Sequence, residues 1–83
     1  MTPRRAIQEL LAERGAGKTI CPSEAARRLA GDTGDWRGWM GEIHAAATGM
    51  ASAGEIATTW RGAPRTPGEG PYRIGTGKTG ANR

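Results

Sequence analysis

The sequence predicts an α+β fold that is mostly α, and three observations carry that prediction. Apolar residues recur at helical spacing in three stretches before residue 54, each bounded by proline or glycine. At Glu55 the period switches to two, with Ile56, Thr58 and Trp60 on one side. A stretch rich in proline and glycine then leads to a second short strand signal, Tyr72-Arg73-Ile74.

The elements follow in order. Thr2 before Pro3 is an N-cap with proline at the first helical position, and Ile7, Leu10 and Leu11 recur at helical spacing as far as Gly15, which predicts a helix over 3–14. Lys18-Thr19-Ile20 is too short for an independent strand, but Ile20 is placed to add a brief third strand to a neighbouring sheet. Cys21-Pro22-Ser23-Glu24 opens a second helix with a capping-box spacing; Ala25, Ala26 and Leu29 form its buried side, and Gly31 ends it. Asp32-Thr33-Gly34-Asp35 is a turn in which Asp35 suits the cap of a third helix, from Trp36 to about Ala53.

Projected at 100 degrees per residue, that third helix gathers Trp36, Trp39, Met40, Ile43, Ala47 and Met50 on one face. Arg37, Gly38, Gly41, Glu42, Ala45, Thr48, Gly49 and Ser52 fall opposite, with His44 on the border. Three glycines inside a helix cost roughly 1 kcal/mol each relative to alanine, so packing must support this helix or it breaks near one of them. Glu55 to Trp60 is a strand, Arg61 to Pro71 a long hairpin loop, and Tyr72 to Ile74 the returning strand, with Tyr72 and Ile74 inward. This order is that of a winged helix: a three-helix helix-turn-helix core with a C-terminal two-stranded β-wing. The expected domain is 1–75, and 76–83, lacking an apolar anchor, is expected to be a disordered tail.

The run from Ile7 through Lys18-Thr19-Ile20-Cys21-Pro22-Ser23-Glu24-Ala25-Ala26, then Trp36-Arg37-Gly38-Trp39-Met40, Gly54-Glu55-Ile56 and Gly68-Glu69-Gly70-Pro71-Tyr72-Arg73-Ile74, resembles a family of short bacterial proteins known only as a domain of unknown function. The resemblance covers roughly residues 5–75. It implies a winged-helix-like fold, and it brings no activity and no site residue with it.

Composition narrows the function. A chain of 83 residues with 14 Gly and 5 Pro has a small core, and with no Phe that core is expected to lean on Trp36, Trp39, Trp60 and Tyr72 together with Ile7, Leu10, Leu11, Ile20, Leu29, Met40, Ile43, Met50, Ile56 and Ile74. Loss of one tryptophan is then expected to cost about 3 kcal/mol or more. One Cys excludes an internal disulfide, and one Cys with one His cannot complete a structural zinc site; no cofactor is expected. An amphipathic pattern begins directly after Met1-Thr2-Pro3-Arg4-Arg5 and no apolar run spans a membrane, so the expectation is a cytoplasmic protein without membrane contact. Residues 1–60 hold seven cations and seven acids, whereas Arg61, Arg65, Arg73, Lys78 and Arg83 face Glu69 alone in 61–83; the positive excess is C-terminal.

No motif predicts catalysis. Gly15-Ala16-Gly17-Lys18-Thr19 ends like a phosphate loop, but Ala12 stands where the first glycine belongs, in mid-helix, with no strand before it. Gly77-Lys78-Thr79 repeats those letters with Tyr72 in that place. Cys21 is read as a substitute cap rather than a reactive thiol, and a Cys21–His44 pair has no visible orienting partner.

The first functional expectation is therefore nucleic-acid binding, possible as transcriptional regulation, with contacts dominated by the backbone. Arg37, His44 and Thr48 would face DNA from the third helix, Arg61 and Arg65 from the wing, and Lys18 and Ser23 from the start of the second helix. The alternative is an interaction module without nucleic acid, a homodimer or a protein partner meeting the strip Gly38, Gly41, Ala45, Thr48, Gly49 and Ser52.

Overall fold

A computed structural model describes residues 1–77. Three helices, α1 (Pro3–Arg14), α2 (Pro22–Ala30) and α3 (Met40–Ser52), pack against a four-stranded antiparallel sheet of β1 (Thr19–Ile20), β2 (Ile56–Trp60), β3 (Ala63–Pro64) and β4 (Arg73–Thr76). The fold is α+β and mostly helical, with a winged-helix-like order of elements.

The ends of the helices follow the local chemistry. The Thr2 hydroxyl accepts from the Arg5 N–H at 3.1 Å, and the Gly15 N–H closes α1 on the Leu11 carbonyl. At α2 the Cys21 N–H donates to Glu24 Oε1 at 2.7 Å, one arm of a capping box. The same Glu24 carboxylate pairs with Arg14, tying the start of α2 to the end of α1. At the far end of α3, Glu55 N–H donates to the Met50 carbonyl and Gly54 N–H to that of Ala51, with Gly54 at φ 78°. This is a Schellman ending, and Gly54 supplies the left-handed residue it needs.

Helix three begins later than its sequence predicts. Arg37–Trp39 is a 3-10 turn, and the regular helix starts at Met40. Asp35 does not cap it: Trp36 is the N-cap of the 3-10 turn and Trp39 that of the regular helix, neither with a side-chain hydrogen bond, and the Asp35 carboxylate sits beside Gly38.

The sheet runs β1-β4-β2-β3. Ile20 opposes Ile74, as expected of a brief third strand, and Thr58 opposes Ile74 from the other side. The long loop after β2 is not structureless. Arg61 (φ 55°) and Gly62 (φ 82°) make a two-residue turn that lays β3 back along the outer edge of β2, pairing Trp60 with Ala63. Both positive φ values fit a type I′ turn, whose twist matches the flanking strands. Only after this excursion does the chain cross to β4.

The expected tail also needs correction at its start. Gly75 and Thr76 belong to β4, and buried Gly77 donates its N–H to the Glu55 carbonyl at 3.0 Å. A Cβ at Gly77 would meet backbone at the Gly54 carbonyl and at Ile56 N, the latter 2.7 Å away. Gly77→Ala is therefore expected to detach the end of β4 and lower stability by roughly 1–3 kcal/mol, measurable by urea unfolding. Residues 78–83, including Lys78 and Arg83, lie outside the described residues.

The core is aliphatic. Ile7, Ile20, Ile43 and Ile74 are its largest fully buried side chains, joined by Leu10, Met50, Ile56, Tyr72 and the helical alanines 6, 25, 26 and 47. Trp36, Trp39, Met40, Leu11 and Leu29 pack on its rim, half-buried. Trp60, expected at the junction of sheet and helix, is half-buried and outside this cluster, beside the Arg61 guanidinium at 5.7 Å. The reason is position: Trp60 ends β2 where the strand runs past α3 into the wing turn.

Candidate nucleic-acid interface

Burying Ile43, Ala47 and Met50 inward leaves the opposite face of the third helix to solvent. Arg37, Gly38, Gly41, Glu42, Ala45, Thr48, Gly49 and Ser52 are all exposed, as the helical projection requires. His44, on the border, is half-buried, and its Nδ1 lies 2.7 Å from the Tyr72 hydroxyl. Either partner can donate in this pair, according to the imidazole tautomer. His44 is thus tied through one nitrogen to the residue that precedes β4. Burial, reinforced by negative charge at Cys21, pushes Tyr72 up to about 12.

The other candidate residues fall in three places. Thr48 donates its hydroxyl to the His44 carbonyl and lines an open groove of about 430 Å³ between α3 and the wing. Arg65 lines the same groove; its backbone is fixed to Thr58 by a 2.9 Å N–H bond and a 2.7 Å hydroxyl bond, and its Nη1 packs against Gly70. Ser52, Thr58, Thr66 and Glu69 complete a polar lining. Arg61 is exposed at the wing turn. Lys18 is exposed in the loop before β1, and Ser23 donates to Cys21 Sγ at 3.3 Å, so these two sit by the start of α2, apart from the groove.

Charge pairing sorts the cations. Arg4 pairs with Glu55 at 2.5 Å, Arg5 with Glu9 at 3.2 Å, Arg14 with Glu24, and Arg28 with Glu13 at 2.6 Å and Glu9 at 3.4 Å. The Arg28 hydrogen bond holds the Glu13 carboxyl below its usual range and raises Arg28 in return. Among the described residues Lys18, Arg27, Arg37, Arg61, Arg65 and Arg73 have no carboxylate within 4.0 Å; of these Arg73 donates to Thr19 Oγ1 and the Thr19 carbonyl. In α1 and α2 every arginine but Arg27 is paired, and the other cations without carboxylate partners stand in the loop before β1, at the start of the third helix, around the wing turn and on β4.

Arg27 was not foreseen as a candidate. Its guanidinium lies over the Trp36 ring, 4.7 Å from the centroid, and that contact depends on the path of the chain between α2 and α3 rather than on any local spacing. Within the described residues no group of three or more His, Cys, Asp or Glu is placed to hold a metal ion, and no helix is long and apolar enough to cross a membrane.

Residues 2–77 match the family described as protein of unknown function (DUF3253). The chain belongs to that family. The match covers every element of the fold, from the Thr2 cap to the Gly77 bond that closes β4. A search of curated proteins found no match. DUF3253 membership is consistent with the domain-of-unknown-function resemblance read from the motifs, and it assigns no activity to Arg61, Arg65 or the outer face of α3.

Proposed function

We propose that this DUF3253 chain binds nucleic acid mainly through the phosphate backbone, with the wing turn and the outer face of α3 turned toward the ligand. The observation that carries the reading is Arg61. It is the one non-glycine residue with positive φ among the described residues, it is exposed, and it has no carboxylate partner. A type I′ turn favours Asn or Gly there, and a side chain in the left-handed region costs roughly 1 kcal/mol. A cation is kept at the wing tip where the turn itself would be better served by another residue.

Arg65 beside the groove and Arg37 at the start of the third helix supply further backbone contacts. The groove hydroxyls of Thr48, Ser52, Thr58 and Thr66 add neutral donors. Small side chains on α3 let its backbone approach a groove closely, while Glu42 and Glu69 oppose phosphate and limit affinity. A role in transcription and a cytoplasmic location accord with this reading.

The test is titration with a DNA duplex at two salt concentrations. Affinity is expected to fall steeply with salt, with the slope reduced by about one for each of Arg61 and Arg65 replaced by alanine. Arg61→Asn separates binding from folding: it is expected to raise the thermal midpoint by several degrees while weakening the duplex complex about tenfold. A duplex complex unchanged by Arg61→Asn would remove the wing from the interface, and no binding at low salt would remove the reading.

A second reading is a protein partner or a second copy docked on α3. Gly41 and Gly49 favour it: both lie inside the helix, both are exposed, and a Cβ at either would meet nothing within 4 Å. The fold itself has no need of glycine there, although each costs roughly 1 kcal/mol relative to alanine. Light scattering across concentration checks this: a mass that rises with concentration and is held at the monomer value by Gly41→Arg supports self-association, whereas a monomer throughout leaves only a foreign partner.

A further inference from the structure

Arg27 and Arg37 both lay their guanidinium groups on Trp36, with their central carbons 4.7 and 4.4 Å from the ring centroid. Arg27 comes from the last turn of α2, while Trp36 and Arg37 come from the corner that leads into α3. The two cations are no farther apart than these distances laid end to end, about 9 Å. Among the described residues neither has a carboxylate within 4.0 Å, and neither donates a hydrogen bond. Asp32 and Asp35 belong to the same turn, but the Asp35 carboxylate lies at Gly38, 3.3 Å from the position of a Cβ there.

A guanidinium held over a ring face gives up none of its N–H donors to a hydrogen-bond acceptor. The contact also holds the side chain in place before any ligand arrives, so less ordering is left for binding. Two exposed guanidinium groups held on one ring, within about 9 Å of each other and without a carboxylate among the described residues, suit the oxygens of a phosphate group.

We propose that Arg27 and Arg37, braced on Trp36, form a phosphate-binding site at the corner between α2 and α3. In the nucleic-acid reading, on which this extension rests, the phosphate belongs to the backbone. From Arg37 to Thr48 the chain advances roughly 16 Å at 1.5 Å per residue, more than the roughly 12 Å width of a major groove. A corner and a groove that far apart along the helix would meet different phosphates of one duplex. A free phosphorylated ligand presents the same chemistry to the same donors.

The test follows the Trp36 indole N–H signal in proton–nitrogen NMR correlation spectra of the full chain. One arm adds inorganic phosphate and the other a short DNA duplex. Inorganic phosphate is expected to shift the signal saturably, with the shift lost in Arg27→Gln and Arg37→Gln and kept in Arg61→Ala. In the duplex arm each corner variant is expected to lower the salt slope by about one. An indole signal that does not respond to inorganic phosphate, or responds equally in both corner variants, overturns the site. Duplex binding that depends on Arg61 while the corner stays silent removes the site and leaves the nucleic-acid reading standing. A corner that takes inorganic phosphate in a chain that binds no duplex supports the site for a free phosphorylated ligand and removes the nucleic-acid reading. Because Arg27 and Arg37 are exposed, their replacement is expected to leave the thermal midpoint nearly unchanged, and a shared midpoint shows that lost binding is not lost folding.

Discussion

Replacing Ile43 with alanine is expected to lower the thermal midpoint by roughly 10–30 °C, an effect shared in kind by the other fully buried isoleucines, Ile7, Ile20 and Ile74. Ile43 is fully buried on α3, in the cluster that joins α1, α2 and the sheet. Truncation there costs roughly 2–5 kcal/mol, from lost transfer energy and the cavity left behind. A domain of this size has roughly 4–12 kcal/mol in total and shifts about 4–8 °C per kcal/mol. Trp60→Ala is expected to cost clearly less, because Trp60 is only half-buried and stands outside the cluster. Thermal unfolding followed by circular dichroism ranks the two, and a larger loss for Trp60→Ala would show that the rings, not the isoleucines, hold the core.

Raising the pH from 10 to 12 is expected to remove roughly 1–2 kcal/mol of stability through Tyr72. Burial first, and negative charge at Cys21 second, raise this phenol from 10.0 to about 12. The unfolded chain therefore gives up its proton near pH 10, while the folded chain keeps it until about 12. Stability is whole below pH 10 and is lost as the pH climbs through that window, at no more than about 1.36 kcal/mol per unit of separation, less what solvent screening removes. Tyr72→Phe is expected to abolish this alkaline loss. At neutral pH it costs about 1 kcal/mol, since the bond to His44 Nδ1 goes with the hydroxyl. Urea unfolding at stepped pH checks both; an equal alkaline loss in Tyr72→Phe would assign the effect to other groups.

Much of this architecture is readable without coordinates. α1 and α2 begin and end at their expected residues because Thr2-Pro3, Cys21-Pro22 and the closing glycines act within a few bonds of the helix ends. The exposed face of the third helix follows from the 100-degree projection alone. What local chemistry missed has one origin. The start of that helix, the β3 excursion and the burial of Gly77 each depend on partners distant in sequence: α2 for the corner, the outer edge of β2 for Ala63 and Pro64, and the Glu55 carbonyl for Gly77.

The candidate interface divides in the same way. Arg61, Arg65, Arg37 and Thr48 are recognisable as wing and outer-face residues, because hydrophobic period and turn composition decide which side chains face water. Which cations are free is not recognisable, since Arg4, Arg14 and Arg28 find carboxylates 51, 10 and 15 residues away. By itself, then, the sequence determined the helix ends, the buried faces and the location of the excess charge, all set by interactions among near neighbours. Only the tertiary structure decided that the indoles stay at the rim of the expected aliphatic core or outside it, that Trp36 gathers two arginines, and that β4 runs on to Thr76. These outcomes depend on which distant surfaces meet, and contacts between remote segments leave no period or spacing in the chain.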